Sequence, residues 1–155
     1  MKKEEYMRRA LHLAGLSEKE GEVPIGAVVV CDGKIVGEGR NKRETEKNAL
    51  RHAEIEAIDS ACNYLGGWRL HNCELYVTLE PCPMCAGAII NARIKKVYFG
   101  TEDPKNGAVV SKAKLFDTEF THKPEYEGNL LKEECSEILT SFFKDLREQK
   151  SKENK

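Results

Sequence analysis

The sequence lacks any apolar run long enough to span a membrane. It also lacks an apolar segment after the charged start Met-Lys-Lys-Glu-Glu, so we expect no secretory signal peptide and a cytoplasmic location. The net charge is −1, without the basic excess usual in nucleic-acid-binding proteins. Internal repeats, linkers and low-complexity blocks are absent as well. The 155 residues predict a single domain at 1–150 and a frayed polar tail at 151–155.

Cysteine, by contrast, is well represented, with six residues. Three disulfides are not expected in a cytoplasmic chain of this size. Cys82 and Cys85 stand three positions apart in Pro-Cys-Pro-Met-Cys, a spacing that suits metal binding. The other cysteines lack such spacing and are predicted to be free, partly buried thiols that pack as small apolar groups: Cys31, Cys62, Cys73 and Cys135.

The most informative pattern joins this pair to the segment His-Ala-Glu at 52–54. His52, Cys82 and Cys85 provide three zinc ligands and leave a fourth position open, which is typical of catalytic rather than structural zinc. Glu54 is not needed as a ligand, so it is free to move protons to and from a metal-activated water. Each motif alone is weak evidence, but the combination is the signature of zinc-dependent nucleobase deaminases.

The surrounding sequence predicts how these residues meet. The alternating segment 74–79 is interpreted as a strand and the apolar segment 84–90 as a helix, which places both cysteines at a helix N-terminus. Free N–H groups and the helix dipole favour thiolates there. His52 begins a second helix, whose apolar stripe is predicted to contain Ile55, Ile58, Cys62 and Leu65. Two helix N-termini are therefore expected to converge on one zinc ion.

The rest of the chain alternates helices and strands. The predicted elements are a helix at 3–20, strands at 25–31 and 34–39 joined at Asp32-Gly33, a polar loop at 41–50 and a strand at 95–99. Turn residues dominate 101–129, with a short strand near 108–110 and a helical turn near 112–116. A final helix carries an apolar stripe from Leu131 to Leu146. This order predicts an α/β fold, a sheet with helices on its faces.

Several longer segments carry a resemblance to a known family. They are Gly21–Val28, Gly37–Asn41, His52–Ile55, Leu75–Ile89, Arg93-Ile94, Phe99-Gly100, Asp103, Gly107 and Phe142-Phe143. The zinc motif is shared by the whole cytidine-deaminase superfamily, whereas Glu-Val-Pro-Ile-Gly-Ala-Val and Thr-Leu-Glu-Pro-Cys are more particular. On these residues the chain resembles the bacterial tRNA-specific adenosine deaminases of that superfamily.

This resemblance implies a fold and an activity. The fold would be a three-layer α/β/α sandwich with a mixed central sheet of about five strands. The activity would be hydrolytic conversion of adenosine to inosine at the wobble position of a tRNA anticodon. One zinc ion per chain and no organic cofactor are implied, with the tRNA anticodon arm as partner and a homodimer as assembly. Asn41 would hydrogen-bond the nucleotide, the Ala53 N–H would face the base, and Asp103 would approach the ribose-phosphate.

Other functions stay open at this stage. The nearest alternative is a deaminase of free guanine, cytosine or a nucleoside, because the zinc chemistry is common to all of these enzymes. The low net charge favours it, as do departures from the family pattern at 48–51, 110–111 and 121–122, which are expected near the substrate. A structural zinc module or an inactive partner subunit is less consistent with three ligands and a retained Glu54. A redox Cys-x-x-C protein would leave His52 and Glu54 without a role.

Overall fold

The computed structural model describes residues 2–153. Its elements, in chain order, are α1 (Lys3–Lys19), β1 (Gly26–Cys31), β2 (Lys34–Arg40), α2 (Ala53–Leu65), β3 (Cys73–Leu79), α3 (Pro83–Asn91), β4 (Lys96–Thr101), a 3₁₀ turn (Leu115–Asp117), β5 (Glu125–Glu127) and α4 (Lys132–Glu153). Within these residues, none of the helices is both long enough and apolar enough to cross a membrane.

The strands form one mixed sheet of five in the order β2-β1-β3-β4-β5. β1 runs antiparallel to both β2 and β3, whereas β3, β4 and β5 are parallel to one another. The predicted hairpin at Asp32-Gly33 is present, and both turn residues have positive φ, as a tight turn between twisted strands requires. The parallel part needs helical crossovers, which α3 provides between β3 and β4.

Helices cover both faces of this sheet. Alternate strand residues point to opposite faces, so Ala27 and Val29 belong to one core cluster and Val28 and Val30 to another. The first cluster contains the buried side chains of α2 and α3, and the second contains those of α1 together with Cys135 of α4. The predicted three-layer α/β/α sandwich with a mixed sheet of five strands is therefore confirmed.

Helix α2 packs most closely through small residues beside the predicted stripe, of which Ile58 and Cys62 are partly buried against the core. Its buried residues are Ala53, Glu54, Ala57 and Ala61, whereas Leu65 is 44% exposed. The prediction of the stripe was wrong by about one position, because β2 presents Gly37 and Gly39 to this helix. A Cβ atom at either glycine would overlap the backbone of α2, so only alanine-sized groups fit between the two elements. The close approach fixes the helix that begins next to His52.

The prediction for 101–129 was wrong in its details. Residues 108–110 form turns and not a strand, because Val109 and Val110 donate their N–H groups to the Glu80 side chain instead of to a neighbouring strand. The predicted helical turn near 112–116 is the 3₁₀ turn at Leu115–Asp117. The fifth strand is Glu125–Glu127, which pairs with the edge of β4.

Helix α4 contributes little to the core. Of its predicted apolar stripe only Cys135 is buried, where it lies against Gly100 of β4, and Phe143 is 41% exposed. The helix also continues to Glu153, into the tail that was expected to be frayed, because no proline or glycine follows Lys150. Residues 154–155 lie outside the described part of the chain.

Candidate active site

Two helix N-termini meet at the end of the sheet, as the sequence predicted. His52 is the N-cap of α2 and Cys82 is the N-cap of α3, each with extended backbone angles. Pro83 occupies the first turn of α3, where its missing N–H costs no intrahelical bond. Cys85 lies one turn into α3 and is buried. The loops that follow β2 and β3, together with the first turn of α3, therefore bring the three predicted metal ligands to one place.

The three side chains are close enough to share one metal ion. The Nδ1 atom of His52 lies 3.6 Å from the sulfur of Cys82 and 3.6 Å from that of Cys85. All three donor atoms lie within 4.8 Å of one another. A tetrahedral zinc ion with ordinary Zn–S and Zn–N bonds separates a sulfur from a nitrogen by about 3.5 Å. The spacing of the donors and their chemistry therefore fit zinc.

The cluster divides its charge unevenly between the two sulfurs. A hydrogen bond from Cys85 lowers the pKa of Cys82 to about 4. Burial acts in the opposite direction, and His52 adds to the lowering. The same hydrogen bond, together with burial, raises the pKa of Cys85. The Cys82 thiolate in turn raises the pKa of His52. One sulfur is therefore a thiolate at neutral pH, which is the protonation state that a metal ligand needs.

Glu54 stands beside this cluster in a very different state. Its side chain is 4% exposed, and burial raises its pKa to about 7, with a further contribution from the Cys82 thiolate. A carboxyl group with a pKa near neutrality both accepts and donates a proton under physiological conditions. Glu54 lies two positions after His52 at the start of α2, so the helix fixes the position of one side chain relative to the other.

A cleft of about 1140 Å³ opens onto these residues. All of the predicted substrate-contacting residues line it: Asn41, Ala53 and Asp103. The Asn41 amide donates to the Val23 carbonyl and accepts from the Arg43 N–H, so the side chain is already oriented by the protein. Asp103 accepts the N–H groups of Lys105 and Asn106 and so closes its own turn.

The sequence analysis missed one whole wall of the cleft. Five residues from one side of α4 line it: Leu139, Phe143, Leu146, Arg147 and Lys150. Successive members of this set lie four, three, one and three positions apart, which is the spacing of a single helix face. This spacing was the signal in the sequence that could have identified the wall. The apolar members had been predicted only as part of the apolar stripe of the last helix. In the structure, α4 places apolar and cationic groups side by side in the wall of the cleft that His52 and Cys82 also line.

One group of expected substrate neighbours lies elsewhere. His122 contacts the carbonyl of Ile94, which precedes β4, whereas the cleft is lined by Glu102, which follows β4. The expectation that 121–122 lies near the substrate was therefore wrong, because the loop before β5 runs along the opposite end of the sheet. By contrast, Ser111 bonds to Glu80 in the wall of the cleft.

Comparison with known proteins agrees with this geometry. The MafB19-like deaminase family matches residues 1–147. The chain is 49% identical over 146 residues to a tRNA-specific adenosine deaminase of Bacillus subtilis (strain 168), covering 94% of this chain and 91% of that protein.

Solved structures of two kinds of deaminase are similar to the chain as well. A structure from work on A-to-I editing by tRNA:A34 deaminases has a TM-score of 0.85 at 43% identity, covering 87% of this chain and 99% of that one. A guanine deaminase from Bacillus subtilis has a TM-score of 0.64 at 40% identity, with coverage of 80% and 79%. The chain therefore belongs to the MafB19-like deaminases and to the family of the tRNA-specific adenosine deaminases.

Proposed function

We propose that this protein converts adenosine to inosine at the wobble position of a tRNA anticodon by zinc-dependent hydrolytic deamination. The observation that carries the proposal is the buried Glu54, with a pKa of about 7, beside a His-Cys-Cys cluster that opens into the cleft. Relatives that share 49% and 43% of the sequence are described as tRNA deaminases. The proposed unit is a single domain at 1–150 in the cytoplasm.

His52, Cys82 and Cys85 would hold one zinc ion per chain. When bound, zinc lowers the pKa of a coordinated water toward ~7 and so supplies a hydroxide nucleophile at neutral pH. Glu54 would take the proton of that water and deliver it to the ring nitrogen beside the reacting carbon. It would then carry the proton of the added hydroxyl group to the amino group, which leaves as ammonia. A pKa of about 7 suits both the acceptance and the release of this proton.

The substrate-contacting roles follow from the lining of the cleft. The Ala53 N–H belongs to the first turn of α2, where such groups have no intrahelical acceptor, so it would bond to the base. The oriented amide of Asn41 would bond to the nucleotide. Asp103 would approach the ribose.

An RNA loop suits this cleft better than a free base does. Its volume of about 1140 Å³ exceeds the roughly 300–1,000 Å³ of most small-molecule pockets. Arg43, Lys105, Arg147 and Lys150 line it despite the net charge of −1, and cationic side chains bind phosphates. Phe143 adds an exposed aromatic ring on which an unstacked base can stack. A base paired in a duplex could not reach the metal cluster.

We further propose a homodimer, as the resemblance implied. Large apolar side chains remain exposed in the single chain, among them Leu50 at 56% and Trp68 at 49%. Leu50 lies in the loop that leads to His52, so a second copy covering it would lie next to the cleft. Aromatic side chains such as Trp68 are enriched at protein–protein interfaces.

Deamination of guanine is the second candidate, because the solved guanine deaminase shares 40% of the sequence. An assay of the purified zinc-loaded protein distinguishes the two functions. It compares an arginine-type anticodon stem-loop, with adenosine at its first anticodon position, with free adenosine, cytidine, cytosine and guanine. We expect inosine in the stem-loop alone. Conversion of a free base with an untouched stem-loop would overturn the tRNA assignment and leave the deaminase chemistry in place.

A further inference from the structure

Three acidic side chains are buried in residues 2–153: Glu22, Glu54 and Glu80. Glu54 belongs to the proposed chemistry, and the other two have no part in it. A buried carboxylate is costly unless hydrogen bonds compensate for the lost water. The partners of Glu22 and Glu80 therefore indicate what these two residues do.

Glu80 holds one loop of the cleft through five hydrogen bonds. It accepts the N–H groups of Asp103, Val109, Val110 and Ser111 at 3.1, 3.0, 2.9 and 3.0 Å, and the Ser111 hydroxyl at 2.5 Å. The carboxylate also fills the space at Gly107 where a Cβ atom would lie. The loop 103–111 therefore wraps around a single side chain that is 2% exposed.

Glu22 holds a second loop in a similar way. Its two carboxylate oxygens accept the N–H groups of Glu44 and Thr45 at 3.1 and 2.6 Å, and its side chain is 1% exposed. These partners lie in the polar loop between β2 and His52, next to Asn41 and Arg43 in the wall of the cleft. Each loop that carries a proposed substrate contact is thus fastened to a buried carboxylate.

We propose that Glu80 and Glu22 are positioning residues that hold these two loops, and so Asp103 and Asn41, in the geometry that binds the substrate. The role in substrate binding rests on the proposed function, whereas the fastening of the loops does not. In both glutamates, each carboxylate oxygen accepts a hydrogen bond from an N–H group. Glutamine cannot do the same, because its amide nitrogen is a donor and would face another donor. Charge-assisted bonds of this kind are about twice as strong as neutral ones.

The substitution Glu80→Gln tests the proposal. We expect amide hydrogen exchange, followed by NMR, to accelerate at Val109, Val110 and Ser111, and KM for the stem-loop to rise by roughly tenfold while kcat changes by less than about threefold. Zinc content should stay at about one per chain. Glu22→Gln should accelerate exchange at Glu44 and Thr45 instead. The exposed Glu119→Gln removes the same charge and should change none of these quantities.

Ser111→Ala removes a single bond to Glu80 and serves if Glu80→Gln does not fold. This variant should show the same changes in amide exchange and in KM as Glu80→Gln, but smaller ones. Unchanged exchange and unchanged KM in these variants would overturn the proposal. A fall in kcat alone would overturn it as well, since it would place Glu80 in the chemistry. If the wild-type protein deaminates no RNA, the exchange data still decide whether the carboxylates fasten the loops.

Discussion

The floor and the rim of the cleft are built in different ways. The floor consists of His52, Glu54, Cys82 and Cys85, which stand on the first turns of two helices packed against the sheet. The rim consists of the loops 41–51 and 102–111 and one face of α4. In the two loops, backbone N–H groups are held by single buried carboxylates. The first turns of α2 and α3 thus fix the proposed reacting groups, whereas the two loops and α4 would meet the bulk of the proposed substrate. Chemistry and substrate choice can therefore be altered separately.

The largest effect is expected at the floor. Glu54→Gln should lower kcat by roughly 10²–10⁴-fold, because the amide cannot accept the proton of the nucleophilic water. The zinc content should remain at about one per chain, since Glu54 is not among the three clustered ligands. Single-turnover kinetics and metal analysis provide the measurements. Glu56→Gln, two positions further along α2 and paired with Arg51, is the matched control; retained turnover in Glu54→Gln contradicts the role of proton carrier.

Removal of a metal ligand comes next and leaves the rim untouched. Cys82→Ser should weaken zinc binding by at least roughly 100-fold, because the proposed tetrahedral site with three protein ligands loses one of its two thiolates. The zinc affinity is measured by competition with a chelator. Cys62→Ser removes a free, partly buried thiol of α2 and should leave the affinity as it is. Equal losses in the two variants would contradict the assignment of the metal site.

The rim should respond in binding rather than in chemistry. Replacing Arg147 and Lys150 by glutamine should weaken stem-loop binding by about tenfold. The slope of the logarithm of the binding constant against the logarithm of the salt concentration should become shallower by about 1–2, as expected for two lost phosphate contacts. Fluorescence titration between low and moderate salt measures both quantities. Lys144 and Lys152 lie on the same helix outside the cleft, so their double glutamine variant removes equal charge. A similar loss in that variant would mean that only the net charge matters.

The smallest effect concerns the stability of a rim loop in acid. Burial would raise the pKa of Glu22, but the hydrogen bonds from Thr45 and Glu44 outweigh it and hold the pKa below its ordinary value. A lowered pKa in the folded state stabilises the protein above the ordinary carboxyl pKa, and this stability is lost as the pH falls through the lowered value. The difference in unfolding free energy between wild type and Glu22→Gln should therefore shrink between pH 6 and pH 3. Urea titrations at several pH values measure it, and a constant difference would contradict the pKa shift.

The sequence predicted the floor better than the rim, for a physical reason. His-Ala-Glu and Pro-Cys-Pro-Met-Cys are local motifs at helix starts, and local signals such as caps and alternation give the position of such residues. The fold class followed from the same signals. The stripe of α2 was displaced because its packing depends on glycines of another strand, which no pattern within the helix reveals.

The rim depends on contacts between distant positions. Glu80 bonds to residues 23 to 31 positions away, and these bonds replace the strand that was predicted at 108–110. The apolar residues of α4 have the periodicity of a core helix, yet of the whole helix only Cys135 is buried. Periodicity identifies the apolar face of a helix and leaves open whether protein or ligand covers it.

The close packing of α2 on Gly37 and Gly39 also sets how this enzyme can be redesigned. A larger residue at Ala57 or Ala61 would push the whole helix outward, and the histidine at its start would leave the two sulfurs of α3. Random mutagenesis should therefore find almost no tolerated substitutions along this seam of Gly37, Gly39, Ala57 and Ala61, even though none of these residues carries a reactive side chain. Laboratory evolution toward a new base would have to proceed through the loops and α4, while the alanine seam is inherited unchanged.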